Sequence, residues 1–218
     1  MVRKFITKTE FAYKEIKDKI GLGIYKKHHL YTIVDVANEI GVSRTPVSGA
    51  IKILESEGYI TMYPGVGFRI KDLSLSDIKE SLLISGALEI VAMDYIIEHS
   101  QITEQKKNLL EKYVKDSYEA IKNKDGSKYV EFAGKYHEEL YSLVNLPSVK
   151  DILNDHTFLH KSLYLEGVMK FPQDAFVLAE DHYNILQAII EKDKKKIRDL
   201  IEEHEIHCYT ILEEVLES

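Results

Sequence analysis

Three histidines in the C-terminal two thirds of the chain have the residue type and spacing to bind a metal. His137, His182 and His204 each have apolar residues three or four positions away, which predicts that each points into a helical core. Neutral imidazole nitrogen is a good ligand for Zn²⁺ and similar divalent cations, so three such rings could converge on one ion. The residues alone leave a second interpretation open, in which each is an ordinary part-buried histidine satisfied by a neighbouring hydroxyl or carboxylate.

A second group of residues is suited to binding DNA. The segment Ser43-Arg44-Thr45-Pro46 opens a predicted helix with a polar, basic turn. The free backbone N–H groups and the positive end of the helix dipole suit a phosphate. Arg44 can pair with the two acceptors of a guanine edge, Ser43 is placed to cap the helix, and Pro46 is tolerated in a first turn. The alternative is a surface helix that happens to have a basic end.

The elements around that turn predict a winged helix-turn-helix. A first helix is expected over residues 11–21, and residues 1–10 are expected to be loosely attached. From Thr32 the sequence indicates a second helix, a turn at Gly41, a third helix and two short β-prone runs, 59–62 and 68–70, around a glycine-containing wing. Three helices followed by a two-stranded wing form this class of DNA-binding domain.

The remainder of the chain is predicted to be helical throughout. Six helices are expected, at about 76–99, 103–124, 126–145, 148–169, 173–192 and 194–217. Because the connections are short, an antiparallel bundle follows. The predicted fold is therefore mostly α, with a winged helix-turn-helix domain over 1–72 and an all-α six-helix domain over 73–218.

The distribution of charge favours the same division. Residues 1–72 carry 12 Lys and Arg against 8 Asp and Glu, whereas the remainder carries 17 against 28, for a net charge of −7. A basic domain joined to an acidic one fits a protein that presents one end to phosphate. The sequence has no apolar run long enough for a membrane span, no signal-peptide core, and one cysteine, Cys208, interpreted as a small core residue. We therefore expect a cytoplasmic protein without a membrane partner.

The N-terminal motifs resemble a known family. GVSRTPV, followed by ESEGYI and a glycine-containing wing, resembles the DNA-binding domain of the GntR family of bacterial transcription regulators. Ser48-Gly49 and Val34 depart from the pattern, since the family usually has Arg-Glu at the first position and often a basic residue at the second. The resemblance implies operator contacts from the following residues, with the last at the minor groove: Thr32, Ser43, Arg44, Thr45, Pro46, Ser48 and Gly65.

The C-terminal motifs resemble the FCD effector domain of the FadR subfamily, in its shorter VanR-like form. The resemblance is carried by Leu88-Glu89 with Ala92, by Tyr136-His137, by the segment 180–189 and by Glu203-His204. It implies that the three histidines bind a divalent metal such as zinc. The family's fourth ligand is an Asp, but the matching residue is Ala133. Water, an effector carboxylate, Asp94 or Glu138 could replace it, and a metal-free domain is the other possibility.

The same resemblance implies a small-molecule effector, such as an organic acid. Its pocket is expected near five residues: Ser85, Glu89, Asp94, Tyr136 and Tyr141. Ser85 stands where the family often has an Arg that binds carboxylates, so an organic acid would need the metal or another group. His156 and His160 are interpreted as core or cavity-lining residues.

The sequence thus predicts a ligand-responsive transcription regulator, not an enzyme. We expect a repressor that reads a two-fold operator in double-stranded DNA as a homodimer. The alternative is a metalloenzyme that uses the three histidines. The alternative is weakened because no general base stands at a recognisable spacing.

Overall fold

The computed structural model describes residues 6–218, apart from the side chains of 155–159. The chain divides after Leu73 into two compact units, here called the N-terminal and C-terminal units. The elements are α1 (Lys8–Gly21), α2 (Ile33–Ile40), α3 (Arg44–Ser56), β1 (Ile60–Tyr63), β2 (Gly67–Ile70), α4 (Leu75–His99), α5 (Glu104–Lys122), α6 (Gly126–Tyr141), α7 (Pro147–Lys170), α8 (Pro172–Glu191) and α9 (Lys194–Glu217).

Helix α1 begins three residues earlier than the apolar spacing predicts. Thr7 accepts a hydrogen bond from the backbone N–H of Glu10, whose carboxylate accepts one from the N–H of Thr7. This capping box satisfies two N–H groups that the first turn would otherwise leave unpaired. The prediction of a loosely attached segment was therefore wrong from Lys8 onward, and residues 1–5 lie outside the described part of the chain.

The N-terminal unit is built on α3. Val47, Ile51 and Leu54 line the buried face of α3, and Ala12 and Ile16 of α1 are buried with them. Gly41 joins α2 to α3 with φ of 72°, a conformation that glycine adopts without steric cost. The unit is therefore the predicted helix-turn-helix.

The wing is a two-stranded antiparallel ribbon with one addition. Strands β1 and β2 pair from Ile60 opposite Ile70 to Tyr63 opposite Gly67. Strand β1 is displaced by one residue from its predicted run, and β2 starts one residue earlier than predicted. Tyr31 adds a bridge to Phe68, with both backbone hydrogen bonds at 2.9 Å. The backbone before α2 is thereby tied to the wing.

The C-terminal unit consists of α4 to α9 in its described residues. Helix α8 packs between α5 and α9, α6 packs on α5 and α7, and α4 lies against α7 and α9. Helix α4 starts with a second capping box, between Ser74 and Asp77. Along its length α4 buries Ile78, Met93 and Ile96 but leaves other large apolar side chains exposed. In the part of the chain that the structure describes, no helix is long and apolar enough to cross a membrane.

Candidate functional site

The first turn of α3 is exposed and basic. Arg44 and Thr45 are exposed, and this turn contains no acidic residue. Ser43 occupies the N-cap position, but its side chain makes no capping hydrogen bond, which corrects the predicted cap. The Ser43 side chain therefore does not accept from the N–H groups at this helix end, where the positive end of the helix dipole also lies.

The other residues predicted to contact DNA differ in exposure and in the partners of their side chains. Gly65 is exposed at the wing tip with φ of 74°, and Ser48 is half-buried. Thr32 caps α2 by accepting from the N–H of Asp35, and its hydroxyl donates to the Asp35 carboxylate at 2.6 Å. Pro46 is buried, so its side chain shapes the start of α3 and is not available as a contact.

The C-terminal unit contains a cavity of about 480 Å³, here called the histidine cavity. Its inner lining combines imidazoles, carboxylates and a thiol. The residues used below are Ser85, Glu89, Ala133, His137, Glu138, His160, Lys161, Tyr164, His182, His204, Glu205 and Cys208. They come from α4, α6, α7, α8 and α9, so most of the bundle contributes to the cavity.

The three predicted histidines meet at this cavity. The ring centroids of His137 and His182 are 4.7 Å apart, and those of His182 and His204 are 5.0 Å apart. His182 is buried, and its Nε2 atom has no hydrogen-bond partner. The Asp181 carboxylate lies 3.1 Å from Nδ1 of His204 and 2.8 Å from Nδ1 of His207. Asp181 thus orients His204 so that its Nε2 atom is the nitrogen left for another partner.

Burial determines the protonation of two of these rings. It lowers the pKa of His137 to about 4, and it lowers that of His182 well below its ordinary value. Both are therefore neutral at pH 7. For His204 burial acts in the same direction, but Cys208 and Asp181 outweigh it and raise the pKa well above the ordinary value.

The three imidazoles fit a divalent cation as a partial ligand set. Two imidazoles on one tetrahedral zinc ion would have ring centroids about 5 Å apart, from Zn–N distances near 2.0–2.1 Å. The observed separations match, and the Nε2 atom of His182 is an unsatisfied buried acceptor or donor. Among the described residues, however, no three His, Cys, Asp or Glu side chains stand in a ready-made metal geometry, so side chains would have to adjust.

The replacements considered for the missing aspartate fare differently. Ala133 lines the cavity but offers no donor atom. Asp94 is paired with Arg198 at 2.6 Å and does not line the cavity, so it was wrongly predicted both as a substitute ligand and as a pocket residue. Glu138 lies at the cavity, where it is exposed.

Of the five residues predicted for the effector pocket, Ser85 and Glu89 line the histidine cavity. Tyr136 and Tyr141 are fully buried core residues outside the lining of the histidine cavity. The Tyr136 hydroxyl donates to the carbonyl of His182 at 2.7 Å, and that of Tyr141 donates to Glu89. These tyrosines therefore form hydrogen bonds with two residues that line the cavity.

Sequence reasoning missed two lining residues on α9, Glu205 and Cys208. Burial and the carboxylate of Glu89 raise the pKa of Glu205 to about 8. Cys208 lies one helical turn after His204, a spacing that was visible in the sequence but was interpreted as core packing. His160 is buried and lines the cavity, whereas the side chain of His156 lies outside the described residues.

Comparison with known proteins agrees with both units. Residues 8–70 match the family described as bacterial regulatory proteins, gntR family, and residues 82–206 match the FCD domain. An uncharacterized HTH-type transcriptional regulator of Bacillus subtilis (strain 168), YdhC, is 25% identical over 209 residues, which are 94% of this chain and 91% of that protein.

Two solved structures share the fold. E. coli McbR/YncC superimposes with a TM-score of 0.84 at 19% identity, covering 96% of this chain and 99% of that one. A putative GntR transcriptional regulator from Rhodococcus sp. RHA1 gives 0.78 at 13% identity, covering 98% and 99%. The chain therefore belongs to the GntR family of bacterial transcription regulators, in the group that carries an FCD effector domain, and it is a DNA-binding regulator and not an enzyme.

Proposed function

We propose that this regulator is a cytoplasmic repressor whose homodimer places two copies of α3 in major grooves of a two-fold operator. The observation that supports this most directly is the first turn of α3, where Arg44 and Thr45 are exposed at the positive end of a helix whose N-cap side chain is unused. Ser43, Arg44 and Thr45 are the proposed contacts of α3, and Gly65 brings the wing backbone close to the minor groove. Repression follows if the occupied operator overlaps a promoter.

The test measures binding of the full-length protein to an operator selected from a random duplex library. Arg44→Ala should weaken binding by about 10–100-fold and relax the base preference at one position of each half-site. Affinity should also fall steeply as salt rises, because phosphate contacts release counterions.

Lys195→Ala is the matched control, since it removes one exposed positive charge from the C-terminal unit. The proposal is wrong if Arg44→Ala binds the operator as tightly as the Lys195→Ala control does, or if affinity does not change with salt concentration. Reporter transcription from the selected operator distinguishes repression from activation.

An exposed apolar face of α4 supports the homodimer. Leu83 is 68% exposed and Val91 46% exposed, and the exposed Ala87 lies between them at four-residue spacing. Residues spaced by four lie on one side of a helix, so these three form one stripe, here called the α4 stripe. Contiguous exposed apolar surface is costly in water and typical of subunit contacts, so we propose that a second copy covers it.

The histidine cavity is the proposed effector site. Its volume suits a small molecule, and its lining combines apolar surface with convergent polar groups. The carboxylate of Glu89 would repel a bare carboxylate, so an organic acid would need Lys161 or a metal ion as its partner. Effector binding would shift the dimer between arrangements of different operator affinity.

A divalent metal, with zinc as the first candidate, is proposed to bind His137, His182 and His204. The unsatisfied Nε2 of His182, the neutral state of two rings and the ring spacing support it. When bound, the ion would supply a fixed positive charge that can hold an oxygen of the effector. Elemental analysis of the purified protein before and after chelation tests this proposal. Absence of any tightly bound metal, and no uptake on adding zinc, would count against it.

A further inference from the structure

Cys208 is placed beside the proposed metal ligands. It is 6% exposed, it lines the histidine cavity, and its Sγ atom lies 3.5 Å from Nε2 of His204. Both residues are on α9, one helical turn apart. Since Asp181 engages Nδ1 of His204, the nitrogen that a metal would bind is Nε2, which contacts the thiol.

The separation between sulfur and nitrogen, which form a hydrogen bond, is also compatible with two ligands on one ion. A tetrahedral zinc ion with Zn–N of about 2.05 Å and Zn–S of about 2.3 Å has its sulfur and nitrogen ligands about 3.5 Å apart. The Cys208–His204 pair has this spacing in the structure. Neither atom would need to move far relative to the other when an ion binds.

Four other positions are less well placed to supply the fourth ligand. Ala133 has no donor atom, Asp94 is held by Arg198, and Glu138 is exposed. Glu205 packs beside Gly86 of α4, where a methyl group added at Gly86 would lie 3.0 Å from its Cγ atom, and its Oε1 atom lies 3.5 Å from the Ser85 hydroxyl. The carboxylate therefore leans toward α4. His182, whose buried Nε2 atom has no hydrogen-bond partner, lines the same cavity as Cys208.

We propose that the thiolate of Cys208 is the fourth ligand of the metal bound by His137, His182 and His204, in place of the carboxylate that Ala133 cannot supply. The thiol proton leaves to solvent as the bond between sulfur and metal forms. A three-nitrogen, one-sulfur site selects Zn²⁺, Co²⁺ or Cd²⁺ over Mg²⁺, Mn²⁺ or Ca²⁺, because thiolate is a soft ligand. This inference rests on the proposed three-histidine site.

The test uses Co²⁺ as a spectroscopic substitute for Zn²⁺ in the full-length chelator-treated protein. We expect one equivalent of Co²⁺ to produce visible bands of tetrahedral cobalt together with a near-ultraviolet sulfur-to-cobalt charge-transfer band. Cys208→Ala should remove the charge-transfer band and weaken Zn²⁺ binding at least about tenfold. The double variant Cys208→Ala with Ala133→Asp should recover affinity without the charge-transfer band, because it returns an oxygen ligand one turn before His137.

The outcomes separate this inference from the site on which it rests. If the wild-type protein binds one equivalent of Co²⁺ without a charge-transfer band, the Cys208 proposal is wrong and the three-histidine site stands. If the folded wild-type protein binds no Co²⁺ or Zn²⁺, both are wrong. Circular dichroism of each variant confirms that a lost band does not come from a lost fold.

Discussion

At the scale of single residues, two of the carboxylates that line the histidine cavity, those of Glu89 and Glu205, interact electrostatically. Glu89 is nearly buried and accepts a hydrogen bond from Tyr141, whereas the Oε2 atom of Glu205 has no partner. Burial and the charge of Glu89 raise the pKa of Glu205 to about 8, so Glu205 is mostly protonated at pH 7. The cavity therefore does not contain a second buried negative charge from Glu205 at pH 7. The raised pKa also makes the free energy of unfolding depend on pH.

Glu205→Gln should make stability less sensitive to pH. The unfolded chain ionises Glu205 near its ordinary pKa of 4.5, but the folded chain does so only near 8. The folded state is therefore favoured least above pH 8, and the wild type loses stability as pH rises from about 4.5 to 8. The variant should gain about 3 kcal/mol over the wild type at the upper end and little at the lower end.

Urea denaturation at both ends of this pH range, with chelator present, measures the difference. Glu203→Gln is the matched control, because Glu203 is exposed on the same helix. Equal pH profiles for wild type and Glu205→Gln would show that Glu205 titrates normally.

At the scale of elements, the wing depends on the close approach of two backbones. A Cβ atom at Gly67 would lie 2.2 Å from the carbonyl oxygen of Tyr31, and that oxygen accepts the N–H of Phe68 at 2.9 Å. A side chain at this position must break the bridge or displace the wing. The identity of residue 67 is therefore set by a contact with a segment 36 positions earlier in the chain.

Gly67→Ala should destabilise the N-terminal unit by about 2–4 kcal/mol, since backbone cannot move aside as a flexible side chain would. Chemical denaturation followed by circular dichroism measures the loss, and operator affinity should fall with it. Gly134→Ala is the control, because Gly134 is helical and a Cβ there meets nothing within 4 Å. A neutral Gly67→Ala would mean that the wing is not held by Tyr31.

The α4 stripe gives a second prediction at this scale. Leu83→Arg should dissociate the proposed homodimer, because a charge would be buried in an apolar contact without a partner. Sedimentation equilibrium measures the change, and it should be at least about tenfold in the dissociation constant. Ile206→Arg is the control, since Ile206 is 64% exposed on α9 and lies outside the stripe. If Leu83→Arg stays dimeric, the interface lies on another surface.

At the scale of the whole molecule, a basic DNA-binding unit is attached to a strongly acidic effector unit. The first 72 residues have an excess of 4 positive charges, and the remainder has an excess of 11 negative charges. We expect DNA to repel the acidic unit, which would restrict contact to the basic unit. One small basic unit with Ser48 instead of a cation should bind weakly, and specificity should come from presenting two copies.

Operator binding should therefore depend on two correctly spaced half-sites. The intact dimer should bind a duplex with both half-sites about 10²–10⁴-fold more tightly than one with a single half-site, through effective concentration. Competition titrations of the full-length protein measure the ratio. A duplex of the same length with its half-sites shifted by half a helical turn is the control. Equal binding to all three duplexes would show that the two DNA-binding units of a dimer act independently.

The sequence by itself determined the features of this protein that depend on local residue patterns. Apolar spacing, glycine breaks and the GVSRTPV motif were sufficient for the two domains and for the family, and the inward-facing histidines followed from their helical spacing. Helix ends were less accurate where side-chain caps decide them, as with the capping box of Thr7 and Glu10 before α1. Ser43 shows the reverse, since a good capping residue makes no cap.

Tertiary structure alone decided which predicted site residues share a cavity. Asp94 looked available in the sequence, but packing of α4 against α9 pairs it with Arg198. Cys208 looked like core filling, but the rotation of α9 brings its sulfur beside His204 and onto the cavity wall. The physical reason is that spacing along one helix states only which residues share a face. The rotation and translation of each helix, which packing against its neighbours sets, decide what that face meets.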